Sequence, residues 1–297
     1  MLCFGKKYSY FLYLNLNLLN TFARRLMNKA IINIFITHDE NLALDVKKFQ
    51  ELNIYLNPIK KPKNLNRPEE FPFFLKKDAI QYAASKIINL KDKTAGIYKI
   101  YNINKKIKKD IFLFLDVDVL PSKDFEEMLI KIVDEYPKGI YVRFNWGTFY
   151  HYKHKKYLFT KFTQLNQKFN TQFNNINVNN NSCFLNKEPH ITLYFIESVL
   201  IFNIEMGEIL KFCKTWEDII DFIKSEKDIE YRTECIDIAI AAFFNNINVK
   251  PIPGRFKNVK PYFQYIDKPN FSKDVFVSYC MPRIKFKKYH KYSSCLK

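Results

Sequence analysis

The sequence predicts an α/β fold: one domain with a mostly parallel central sheet flanked by helices. Three observations carry that expectation. Through the first half of the chain, short apolar runs alternate with segments of helical period, the pattern of strands joined by helical crossovers. The runs are continuous rather than alternating, as in AIINIFIT from Ala30 to Thr37, which suits strands buried on both faces. With 297 residues, 47% of them hydrophobic, the chain is large enough for a real core.

Taken in order, AIINIFIT reads as the first strand, ENLALDVKKFQEL (40–52) as a helix and NIYLNPI (53–59) as a short strand. A Pro-punctuated polar loop follows. The segment LKKDAIQYAASKIINL places Ile80, Ala83, Ala84 and Ile87 at i, i+3, i+4 and i+7, one apolar helix face. IFLFLDVDVLPSKDF (111–125) is a strand running into two aspartates, then Pro121 and Ser122, with Ser122 placed to cap the helix KDFEEMLIKIVDEY. GIYVRFN (139–145) is another strand. Residues 146–190 are aromatic, basic and then Asn-rich, without period, and read as an irregular insertion. ITLYFIESVLIFN (191–203) is a long strand or a bent strand pair. GEILKFC, WEDIIDFIKS and TECIDIAIAAFFNN are three helical stretches, and INVKPIPGRF is a last strand and turn. Residues 27–260 are thus expected to form the domain, 1–26 an N-terminal extension and 261–297 a basic, aromatic C-terminal tail.

The formal charge of +18 favours polyanionic partners. The basic residues are mostly lysines scattered along the chain, and no zinc-finger spacing or recognition-helix signature accompanies them, so nucleic acid is not expected as a partner. The six cysteines, at 3, 183, 213, 235, 280 and 295, form no CxxC. Reduced thiols and a cytoplasmic location are expected. Tyr8–Leu19 is apolar but interrupted by Asn15 and Asn17 and too short to span a bilayer. A peripheral contact with the anionic inner face of a membrane fits the charge.

Asp116 and Asp118 set the functional question. Aspartate is a poor strand residue, and charge at the edge of a core is costly unless it is paired. In a parallel sheet, ligands collect beyond the carboxyl ends of the strands, where these two residues lie. At strand spacing they would straddle opposite faces, but a turn beginning here lets both reach one site. Mg²⁺ and Mn²⁺ prefer oxygen ligands and are typically held by one or two carboxylates plus substrate phosphates.

In these residues the chain resembles the nucleotide-sugar glycosyltransferases of the A-type fold (GT-A), whose DxD signature follows an apolar strand as in FLFLDVDVLPSKDF. FIESVLIFN is similar to the strand that presents the acceptor side of their pocket. WEDIIDFIKS and TECIDIAIAAFFNNINVKPIP are similar to their acidic helix and following strand. The resemblance covers roughly residues 27–255. It implies a single Rossmann-like GT-A domain that takes a nucleotide-diphosphate sugar as donor and a glycan or lipid-linked acceptor. It further implies Mn²⁺ or Mg²⁺ on Asp118, with Asp116 on the metal or the ribose, and an acidic residue near Glu234 and Asp237 acting as base or electrostatic stabiliser. His290, in KKYHKY, lacks the glycine-containing context of the family's third metal ligand.

Three acids are the catalytic candidates. Glu234 and Asp237, at i and i+3, share a helix face, although acids also favour helix starts for the dipole alone. Glu197 is an acid within an apolar strand and must be paired, protonated or functional. Lys76 and Lys77, ahead of a helix, are placed to meet phosphate or simply to be solvated, and Lys77 is assigned to the donor. Trp146, Tyr150 and His151 suit stacking on a sugar ring or ordinary packing. A haloacid-dehalogenase-like phosphatase shares an apolar strand ending in DxD, but that motif belongs on the first strand. A sugar-nucleotide nucleotidyltransferase would need a Gly-rich loop, and FITHDENLA has no glycine. A basic nucleic-acid-binding protein without catalysis is the alternative from another class.

Overall fold

Strands and helices succeed one another along the chain, and the fold is α/β. The computed structural model describes residues 1–4, 6–26, 32–61, 71–89, 111–117, 119–121, 128–129, 131–132, 135–144, 164–165, 167–169, 184–185, 191–192, 195–226, 234–252 and 276–278. The first group of elements is β1 (Leu2–Cys3), α1 (Lys6–Leu26), β2 (Asn33–Asp39), β3 (Asn53–Ile59) and α2 (Phe71–Asn89). The central group is β4 (Phe112–Leu115), β5 (Val119–Pro121), β6 (Gly139–Phe144), β7 (Phe184–Leu185), β8 (Ile191–Thr192) and β9 (Phe195–Asn203). The last is α3 (Met206–Ser225), α4 (Cys235–Phe244), β10 (Val249–Pro251) and β11 (Phe276–Ser278).

Two main sheets result. β1, β2 and β3 form an all-parallel sheet in that order. The larger sheet has the order β4-β9-β6-β10-β8-β7 and is mixed rather than mostly parallel by pairing. β9 runs antiparallel to both β4 and β6, while β10 is parallel to β6 and β8. The strands β4, β6, β10 and β8 therefore share one direction. Phe195, where β9 begins, pairs with Phe144, where β6 ends, so β9 runs back along β6 as its antiparallel neighbour.

Alternation along the strands assigns the two faces. Phe112 of β4 and Phe202 of β9 meet edge to face at 5.5 Å, and Phe202 continues to Phe212 and Trp216 of α3. Trp216, Phe212 and Phe202 are completely buried. On the opposite face, Asn203 donates to the carbonyls of Ile132, Tyr136 and Pro137, which docks the helical residues around 128–135 against β9. Ile34 and Phe35 of β2 and Phe112 and Phe114 of β4 line one cavity between the two sheets.

Several expectations change in detail. Residues 40–52 are not helical. Asp39 Oδ1 accepts from the Asn41 N–H, Asp45 Oδ1 accepts from the Lys47 N–H, and the Tyr13 hydroxyl accepts from the Asp45 N–H. Side-chain acceptors thus compete for donors that a helix would need, while Phe49 and Leu52 still reach the core. GEILKFC and WEDIIDFIKS form one continuous helix, α3. Its start is secured by the Glu205 N–H donating to Glu208 Oε2 at 2.8 Å. ITLYFIESVLIFN divides into β8 and β9. Asn246, in the left-handed region at φ 54°, ends α4 as an Asn can. Gly139 is required by close approach, because a Cβ there would lie 2.7 Å from the Asn248 carbonyl oxygen.

The termini contribute to the fold. Within residues 1–26, Phe11, Leu12 and Leu16 of α1 are fully buried and Leu19 nearly so. In the C-terminal tail, β11 pairs antiparallel with β5. No helix among the described residues is long and apolar enough to cross a membrane. Cys3, Cys213 and Cys235 are buried free thiols, and burial pushes Cys3 and Cys213 up to about 12.

A variant lacking residues 1–26 removes four buried side chains worth about 1.5–3 kcal/mol each, comparable to the whole stability of a typical domain. It is expected to show no cooperative unfolding transition in calorimetry. A melting temperature equal to that of the full chain would contradict the packing of α1.

Candidate functional site

The strand β4 is built from four apolar residues and ends at Asp116, whose N–H donates to the Ser198 carbonyl of β9 at 2.9 Å. The ladder stops here because the chain turns. The Val119 N–H donates back to the Asp116 carbonyl at 3.0 Å, the i to i+3 bond of a tight turn. α1 holds this turn from the side. Asn15 is completely buried, and its Nδ2 donates to the carbonyls of Val119 at 2.7 Å and Val117 at 3.3 Å. β5 and β11 brace the outgoing chain. Asn15 is thus a positioning residue that the sequence reading passed over. Its signal was present: an amide interrupting an otherwise apolar helix is costly to bury unless it bonds to something.

Asp116 is about a third exposed, and Lys76 of α2 stands beside it, with Nζ 3.7 Å from Oδ2. The same ammonium lies 3.3 Å from Oε1 of Glu234, and 5.4 Å above the ring of Phe114. Glu234 is the residue at the N-cap of α4, yet its side chain makes no capping bond and turns to Lys76 instead. Asp237, in the first turn of α4, is equally buried. The site therefore joins a strand end, a helix face and a helix start. The edge also includes the parallel sheet. The amino group of Met1 donates to the Phe35 carbonyl of β2 at 2.8 Å. Burial lowers its pKa to about 6, and the charge of Asp116 opposes that shift.

The two lysines of α2 diverge, as consecutive helix positions must. Both are buried, which removes the solvated reading for either. Lys76 meets Asp116. Lys77, the one assigned to the donor, pairs with Asp78 and with Glu217 of α3, and also donates to Gln81. Burial pulls Lys77 down, but the hydrogen bonds and charges of Asp78 and Glu217 prevail and raise it. Glu217 is in turn held below the usual carboxylate range, first by the Lys214 hydrogen bond and then by that of Lys77.

Glu197 lies at an irregularity of β9. Ile196 pairs with Arg143 and Leu200 with Val142, so extra residues of β9 face adjacent residues of β6 there, as at a bulge. Its backbone is next to Ser198, the partner of Asp116, and its side chain lies outside the description. Asp118, Trp146, Tyr150, His151 and His290 lie outside the described residues. Among the described residues no three His, Cys, Asp or Glu side chains group as a metal site. The partly exposed Asp116 offers hard oxygen donors at a place where a cation, Lys76, already sits. Such oxygen donors are of the kind Mg²⁺ and Mn²⁺ prefer. No known family model matches the chain, and no curated protein does.

Asn15→Leu keeps the shape but leaves two carbonyls without their donor, and is expected to cost about 1–3 kcal/mol in urea unfolding. Asn15→Asp, which cannot donate in its ionised form, should cost at least as much. Glu217 contributes stability that is fully present above the ordinary carboxylate pKa and is lost as pH falls through its lowered folded value. Glu217→Gln is therefore expected to flatten the acid limb of stability against pH. An unchanged slope would exclude that contribution.

Proposed function

We propose that the protein is a metal-dependent glycosyltransferase with a Rossmann-like GT-A domain, moving a sugar from a nucleotide-diphosphate donor to a glycan or lipid-linked acceptor. One observation carries the reading: Asp116, closing a buried strand, and Glu234, opening a helix, meet at a single buried lysine on the carboxyl edge of the co-directional strands. The DVDVLP sequence around that strand end gives the same assignment.

On this reading Asp116 and Asp118 would hold the cation, which when bound supplies positive charge against the diphosphate leaving group. The sugar's anomeric carbon exchanges its bond to the diphosphate oxygen for one to the acceptor oxygen. The acceptor hydroxyl gives up its proton, and Glu234 and Asp237, buried together at the start of α4, are the carboxylates assigned to receive it or to stabilise positive charge on the sugar. Glu197 joins this set through the place of its backbone beside Ser198. Lys76, rather than the Lys77 assigned to the donor, is the lysine that stands beside Asp116, where it acts on the carboxylate and not on the phosphate. A net charge of +18 favours the approach of anionic donors and of an anionic membrane face carrying a lipid-linked acceptor.

A thermal-shift screen of UDP-, GDP- and CMP-sugars, with and without Mn²⁺, tests the reading. A rise in melting temperature that needs both nucleotide and metal is expected, and Asp116→Asn and Asp118→Ala should each abolish it while still unfolding cooperatively. No such rise with any donor, together with nucleic-acid binding that weakens steeply with salt, would replace the transferase by a basic binding protein.

A further inference from the structure

Lys76 stands between two carboxylates that the proposed function gives different tasks, and that position has a mechanistic consequence. Asp116 belongs to the donor and metal side, Glu234 to the acceptor side. The ammonium is nearer to Glu234, at 3.3 Å, than to Asp116, at 3.7 Å. It also lies over the Phe114 ring, and the residue is only 4% exposed. A buried ammonium this close to a carboxylate repels any second cation brought to it. Glu234, with no exposed surface, cannot turn to water for compensation.

We propose, resting on the transferase reading above, that Lys76 is a positioning residue that serves as the resident counter-ion of Asp116 in the metal-free protein. It yields Asp116 to the incoming divalent cation by moving onto Glu234. Metal binding on the donor side and the charge environment of the acceptor-side carboxylate are then one event. Glu234 affects the affinity of the metal through Lys76: it offers the displaced ammonium somewhere to go.

Two consequences follow for Mn²⁺ binding without nucleotide. Deleting the ammonium, in Lys76→Met, removes the competitor and strengthens Mn²⁺ binding by roughly tenfold or more, given the size of charge interactions at this distance. Glu234→Gln takes away the acceptor of the displaced ammonium, ties Lys76 to Asp116 and weakens Mn²⁺ binding. Simple through-space attraction predicts the same two signs, so the single variants alone do not decide. The double-mutant cycle does.

The experiment measures Mn²⁺ affinity by water-proton relaxation for the wild type, Lys76→Met, Glu234→Gln and the double variant, with Lys77→Met as a buried-lysine control. The expected result is that Glu234→Gln weakens Mn²⁺ binding in the wild-type background and has no effect once Lys76 is Met, while Lys77→Met leaves the affinity unchanged. An equal loss in both backgrounds, or a Lys76→Met protein with wild-type affinity, overturns the coupling. Should Lys76→Met fail to fold alone, the cycle is run with Lys76→Gln, whose amide still donates to Glu234 but carries no charge to compete at Asp116. A wild-type protein that binds no Mn²⁺ with or without nucleotide overturns the transferase reading itself. Mn²⁺ binding with an additive cycle overturns only the role of Lys76.

Discussion

One buried ammonium constrains the architecture around the end of β4. Glu234 has no exposed surface, and a carboxylate so placed is tenable only beside a positive charge or a proton. Lys76 of α2 supplies a positive charge, and its ammonium reaches both Glu234 at the start of α4 and the face of Phe114 in β4. Removing one partner of such a pair typically costs about 3–5 kcal/mol. The ion pairs of Lys214 with Glu217 and Asp218, two-thirds exposed at the lysine, belong to a class worth at most about 1 kcal/mol. The two kinds of pair look alike in a sequence and differ severalfold in consequence.

The turn that follows β4 depends on a second buried polar contact from an unrelated part of the chain. A strand ending in a tight turn leaves carbonyls that no ladder satisfies, and at Val117 and Val119 the donor is the amide of Asn15. This explains why α1 carries Asn15 among the apolar residues of its buried side. It also ties the segment before the first long strand to the place where the aspartates lie. Packing and site geometry are here the same interaction.

What was legible in the sequence follows from which forces are local. β2, β3, α2, β4, β6 and β10 could be read because apolar runs and a 3.6-residue period report burial directly, as with Ile80, Ala83, Ala84 and Ile87, all buried. The strand end at Asp116 was legible for the same reason. The segment 40–52 was misread because its leucines and valine suggested a helix, while Asp39 and Asp45 took the backbone donors. The antiparallel course of β9 depends on where a long connection re-enters the sheet, and no residue pattern records that. The choice between Lys76 and Lys77 was equally hidden. One helical step of rotation decides which lysine faces Asp116 and which faces Glu217, and only the packing of α2 against α3 fixes it.

The charge distribution gives the proposed chemistry its last physical constraint. The formal charge of the whole chain is +18, while among the described residues Asp116 and Glu234 share the ammonium of Lys76 and Asp116 also acts on the Met1 amino group. On the transferase reading an anionic donor would be drawn toward the protein at long range and would meet carboxylates at short range. Because Lys76 is shared between Asp116 and Glu234, a divalent cation would add positive charge for a diphosphate beside Asp116 on that reading. On the transferase reading, then, the need for a divalent cation does not rest on the aspartate motif alone. The sharing of Lys76 between Asp116 and Glu234 favours it as well.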